Sequence, residues 1–119
     1  MKTSKIAKEN IARLNIAITY IEENLSEKLS LKIIAEKAHF SPFHFHRLFK
    51  IIIGETLHNF INRKRIEKAA SYLLHQKEKN STEIAEKVGF SNLSSFSKSF
   101  KKFYGISPDK FKKESPDKF

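Results

Sequence analysis

The chain of 119 residues contains no cysteine. That removes any disulfide framework and suits a reducing compartment. Five histidines without a thiolate beside them are a poor basis for structural zinc, so neither a metal nor a cofactor is expected. Long apolar runs are missing too. None approaches the roughly 18 residues of a membrane span, and the N-terminus has no secretory apolar core. A cytoplasmic protein with no membrane partner is the expectation. Glycine and proline are scarce, three of each, and alternating β-branched runs are absent. An all-α fold follows. No glycine-rich phosphate loop and no paired-carboxylate site on a recognisable scaffold is visible, so an enzyme is not expected.

Positive charge, in contrast, is abundant. Lysine and arginine number 23 against 13 acidic residues, a net charge of +10. Such a surplus favours a polyanionic partner, either nucleic acid or an anionic membrane face, and charge alone does not choose between them.

The chain also repeats itself. Ala35-Glu36-Lys37-Ala38-His39-Phe40-Ser41 returns 50 residues later as Ala85-Glu86-Lys87-Val88-Gly89-Phe90-Ser91, identical at five of seven positions. One residue is then inserted and the offset becomes 51: Phe45, Phe49, Lys50, Gly54 and Phe60 match Phe96, Phe100, Lys101, Gly105 and Phe111. Two copies are too few for a solenoid, so a duplicated small module is the better reading.

Each copy reads as two short helices around a turn. Ser30 is an N-cap, with Leu31, Ile34, Ala35 and Ala38 on the apolar face that follows. In the second copy Asn80 and Glu83 make a capping-box pattern. After the turn, Ser41 caps a helix with Pro42 at its first position. Phe45, Phe49 and Ile52 form its buried face, as do Phe96, Phe100 and Phe103 in copy two. Gly54 and Gly105 are left-handed C-caps. Such a unit is a helix-turn-helix. Before it, Ile11, Leu14, Ile18, Ile21 and Leu25 form an apolar stripe. Between the units, Thr56 caps a helix to about His75, and a last helix begins at Ser107-Pro108. The boundaries are 8–55 for the first subdomain, 56–76 for the linker helix, 77–113 for the second subdomain and 114–119 for a tail. In that tail Ser115-Pro116-Asp117-Lys118-Phe119 duplicates Ser107-Pro108-Asp109-Lys110-Phe111.

The stretch Ile84-Ala85, Gly89-Phe90-Ser91, Phe96-Ser97-Lys98, Phe100-Lys101-Lys102, Gly105, Ser107-Pro108 resembles the AraC/XylS regulators, and the likeness covers roughly residues 8 to 113. It implies seven helices, a monomer able to bind double-stranded DNA, and activation through RNA polymerase contacts in a bacterial cytoplasm, associated with the nucleoid. One departure is His39, at the turn position held by Gly89 in copy two, where a positive φ is expected. Some similar sequences continue into a small-molecule-binding domain. Others belong to methyl-transferring DNA-repair proteins, whose acceptor cysteines this chain lacks.

On that reading Phe43, His46 and Arg47 of the first recognition helix address bases, Arg47 by its fork to guanine and Phe43 against a thymine methyl. Lys50 and Ser41 address phosphate. The second helix offers Asn92, Ser94, Ser95 and Lys98 to bases, with Ser91 and Lys101 on phosphate. A linker helix of about 20 residues spans about 30 Å, close to the roughly 34 Å of one DNA turn, so two unlike boxes in successive major grooves are expected. Phe43 fits groove contact and packing equally well, and Leu93 fits packing somewhat better. Arg63, Lys64, Arg65 and Lys68 suit a phosphate clamp or an ordinary solvated helix face. Two other classes stay open: the DNA-binding module of a larger ligand-sensing regulator, and a low-specificity nucleoid-type protein.

Overall fold

Local capping chemistry cuts the chain into helices before any packing is considered. A computed structural model describes residues 5–114, and these form α1 (Lys5–Glu23), α2 (Leu31–Lys37), α3 (Pro42–Ile53), α4 (Leu57–His75), α5 (Ser81–Lys87), α6 (Leu93–Tyr104) and α7 (Pro108–Glu114), with no strand among the described residues. The proposed tail beyond Glu114, including the second Ser-Pro-Asp-Lys-Phe sequence, lies outside them.

The helix starts have side-chain acceptors for their free N–H groups. Ser30 Oγ accepts from the Ile33 N–H at 3.2 Å, Ser41 Oγ from His44 at 3.2 Å, Thr56 Oγ1 from Asn59 at 3.1 Å and Ser107 Oγ from Lys110 at 3.2 Å. Asn80 and Glu83 close the full reciprocal box, at 2.9 Å and 3.3 Å. α6 is capped by Asn92, whose Oδ1 accepts from the Ser95 N–H at 2.8 Å. The residue inserted after Ser91 moves the cap one position on from the Ser41 pattern. Gly54 and Gly105, at φ +86° and +81°, end α3 and α6 in the left-handed region. The exposed box at α5 gives a clean test. Asn80→Ala should lower the stability of the second module by about 0.5–2 kcal/mol, read as a drop in its urea midpoint with unchanged slope.

The chain divides inside α4, between Phe60 and Ile61, into two compact units. In unit 1, α1 buries Leu14, Ala17 and Ile21 against a core that contains Ile34, Ala35, Phe45 and Phe49. Ring contacts run from Phe40 to Phe45 to Phe49 to Phe60, with centroids 6.0, 5.6 and 5.3 Å apart. Unit 2 repeats the plan. Phe90, Phe96, Phe100 and Phe111 follow one another at 5.5, 5.8 and 5.2 Å, over a core of Ile66, Leu73, Ile84 and Val88. Each buried phenylalanine contributes about 1.5–3 kcal/mol from area alone, so two rings per unit are a large share of a small core.

Three apolar positions depart from the expected pattern. Ile11 and Ile52 are each 45% exposed, and Leu93 is 41% exposed. On α1 the buried stripe runs Leu14, Ala17, Ile21, so Ala17 takes the place expected for Ile18, which is half-buried, and Ile11 falls outside it. The last turn of α3 lies beyond the core's cover, leaving Ile51 exposed as well as Ile52. Leu93 is the first residue of α6, where the side chain precedes the buried face that begins at Phe96.

His39 does take a positive φ, +61°, and Gly89 takes +101° at the equivalent place. The left-handed region costs a residue with a Cβ about 1–2 kcal/mol, partly offset by the chain entropy that glycine loses on folding. His39 is exposed, so its ring buries nothing in return. His39→Gly should therefore stabilise unit 1 by about 0.5–1 kcal/mol and raise its melting temperature by a few degrees in a thermal scan.

Candidate nucleic-acid interface

The turns that aim α3 and α6 are built alike. In each, the left-handed residue donates to the carbonyl three back (His39 to Glu36 and Gly89 to Glu86, both 3.1 Å), and the next residue donates to the carbonyl five back (Phe40 to Ala35 and Phe90 to Ala85, both 2.9 Å). This is a Schellman closure, with the following phenylalanine turned into the core to pin it. The second helix of each pair starts two to three residues later. Because Phe45 and Phe49 are wholly buried, as are Phe96 and Phe100, the opposite face of each helix must point outward.

All eleven residues expected to meet DNA are exposed. Ser41, Phe43, His46, Arg47 and Lys50 share the start and outer face of α3. Ser91, Asn92, Ser94, Ser95, Lys98 and Lys101 share the start and outer face of α6. The two faces differ in chemistry. On α3, Phe43 is 73% exposed and the Arg47 guanidinium carbon lies 5.8 Å from its ring centroid. The aromatic face holds the guanidinium by cation–π attraction and leaves its N–H fork available. Beside this pair runs a groove of about 350 Å³ lined by Phe43, His44, Arg47, Leu48 and Ile51. Phe43 thus stands clear of the core and does not serve core packing.

On α6 the side chains are short and polar. Asn92 spends its carbonyl oxygen on the Ser95 N–H and directs its amide nitrogen to Ser91 Oγ at 3.5 Å, which leaves the second amide hydrogen for an outside acceptor. Ser41 likewise accepts from His44 while its hydroxyl proton can still be donated. The offset of 51 sets Ser97 in the place of His46 and Lys98 in the place of Arg47. Ser97, half-buried on α6, was not among the expected residues, and the repeat register was the signal that names it.

The basic run on α4 is more occupied than the recognition faces. Arg63 and Lys64 reach Glu67 at 3.2 and 3.8 Å, one turn along the same helix. Burial lowers the Arg65 pKa below its ordinary value, and Tyr104 is raised by burial and then by Glu67. These contacts favour a structural helix face over a clamp at Arg63 and Lys64. No described helix is long and apolar enough to cross a membrane.

Two tandem helix-turn-helix units, each with one face of its second helix exposed, define a class of DNA-binding protein. Comparison with known proteins gives the family. A model of the helix-turn-helix domain matches residues 34–114. The transcriptional activator AarP of Providencia stuartii is 37% identical over 95 residues, covering 80% of this chain and 70% of that protein. The bifunctional transcriptional activator/DNA repair enzyme AdaA of Bacillus subtilis is 39% identical over 102 residues, 86% of this chain and 48% of its own length. Among solved structures, an AraC-type transcriptional regulator of Chromobacterium violaceum superimposes with a TM-score of 0.80 at 27% identity, over 87% of this chain and 92% of that one. The chain belongs to the AraC/XylS family of DNA-binding transcriptional regulators. It spans less than half the length of some of these relatives, 48% of AdaA and 42% of the probable regulator LumQ of Photobacterium leiognathi.

Proposed function

We propose that this chain reads an asymmetric double-stranded DNA site as a monomer, with α3 and α6 in successive major grooves, and that it activates transcription through contact with RNA polymerase. The observation that carries the reading is the outer face of α3, where an exposed Arg47 is held against an exposed Phe43 at 5.8 Å. α4 supports it. Its 19 residues form one helix, about 28 Å long at 1.5 Å per residue, against about 34 Å for a turn of DNA. The unlike faces of α3 and α6 support asymmetry: a guanidinium and an aromatic ring on one, hydroxyls and lysines on the other. Activation rests on the activator descriptions of AarP and AdaA.

A second reading is favoured by the share of LumQ and AdaA that the chain covers: here it is the DNA-binding module of a longer regulator. In both cases the same side chains meet the same grooves. Selection of sites from random duplexes of about 30 base pairs tests the proposal, since the footprint spans two grooves one turn apart. Two unlike boxes about ten base pairs apart, bound by monomeric protein, are expected. A pool that stays random while binding falls steeply with salt would instead show a DNA-coating protein.

A further inference from the structure

Unit 2 ends in a docked helix whose anchoring sequence is written twice. In Ser107-Pro108-Asp109-Lys110-Phe111, all residues but one are committed to seating α7. Ser107 caps it through the Lys110 N–H at 3.2 Å, and Pro108 is buried at its first position. Asp109 Oδ1 accepts a 2.5 Å hydrogen bond from the hydroxyl of Ser81, a buried residue at the start of α5. Phe111 sets its ring against Phe100 and Tyr104, at 5.2 and 5.4 Å between centroids. Lys110 alone is exposed without such a task. The receiving surface is therefore a short peptide groove, with a hydroxyl donor at one end and an aromatic pair at the other.

The same five residues recur eight positions on, as Ser115-Pro116-Asp117-Lys118-Phe119, outside the described residues. A groove recognises side chains and not their place in the chain. We propose that this α5–α6 groove is a binding site for the sequence Ser-Pro-Asp-x-Phe, filled here by residues 107–111, and that residues 115–119 are a second ligand for it within the same chain. Exchange requires residues 107–114 to loop out. The entropy of closing a loop grows only with the logarithm of its length, and the tether keeps the second copy at high effective concentration. Two features make the first copy the usual occupant: its short connection from Gly105, and Lys112, whose ammonium donates to the Lys79 carbonyl at 2.8 Å. The second copy takes over when the first is weakened, so the chain carries a reserve occupant for the surface that α7 fills. The inference stands independently of the DNA-reading proposal.

Full-length Phe111→Ala, Phe119→Ala and the double variant test it, by thermal unfolding and by amide exchange in α6. Phe119→Ala alone should match the parent. Phe111→Ala should lose some protection, and the double variant should exchange about tenfold faster than Phe111→Ala or more. A double variant that merely equals Phe111→Ala overturns the proposal. A second arm replaces residues 107–111 by a Gly/Ser stretch of equal length and leaves residues 112–119 unchanged. This chain should keep α6 protected, whereas a chain ending at Ile106 should not. Protection no better than in the truncated chain also overturns the proposal.

Discussion

Phe100→Ala should unfold the second module while the amides of α1 to α3 keep their protection. Phe100 is wholly buried and touches three other rings, Phe96 at 5.8 Å, Phe111 at 5.2 Å and Tyr104 at 4.9 Å. Its removal loses the transfer free energy of the ring and leaves a cavity that short helices on a thin core close poorly, at a cost of about 3–5 kcal/mol. A module of about 60 residues has roughly 3–9 kcal/mol to lose, so this one change takes most or all of it. Hydrogen exchange followed by mass spectrometry separates the two modules in one experiment. Loss of protection in α5, α6 and α7 alone is the expected pattern. A variant that keeps those amides protected would mean that the aromatic row contributes far less than its burial implies.

The same aromatic row explains why so much of this fold can be read from the chain. Helix ends depend on side chains three residues from the backbone groups they satisfy, so Ser30, Ser41, Thr56, Asn80 and Ser107 announce themselves locally. The left-handed turn at His39 was legible because its duplicate holds glycine at the same place, a comparison internal to one sequence. Where legibility failed, the deciding contact was distant. Apolar spacing says which face of a helix is greasy but not where the neighbouring helix stops covering it. Ile11, Ile52 and Leu93 therefore lie exposed although their spacing or setting suited burial. The candidate interface divides in the same way. Its membership follows from the face opposite Phe45 and Phe49, which periodicity sets. The seating of Arg47 on Phe43 does not, because it depends on rotamers of two exposed side chains. The α6 cap shows a third kind of limit: a single inserted residue moved it from Ser91 to Asn92, and only the backbone records where the insertion is absorbed.

Arg47→Ala should weaken binding to the selected site by about 1–3 kcal/mol, roughly ten- to two-hundredfold, and relax preference at one base position. The argument starts from geometry. Arg47 lies one turn after Phe43 in the first half of α3, on the exposed face that the N-terminal residues of a recognition helix present to base edges. Its guanidinium rests on the ring at 5.8 Å, so less rotamer freedom is lost when its fork engages guanine. Arg47→Lys should recover the charge but not the paired donors, and so restore phosphate attraction without restoring the base preference. Lys101→Ala on α6 is the control. Lys101 stands one turn beyond Lys98 on a face of hydroxyls and amines, and its loss should weaken cognate and random DNA alike and reduce the salt slope by about one. Affinities for both variants, measured on the selected site and on scrambled duplex across a salt series, separate the two roles. Equal losses on both duplexes for Arg47→Ala would remove it from the base-reading set, and would leave the sequence preference to His46 and the polar face of α6.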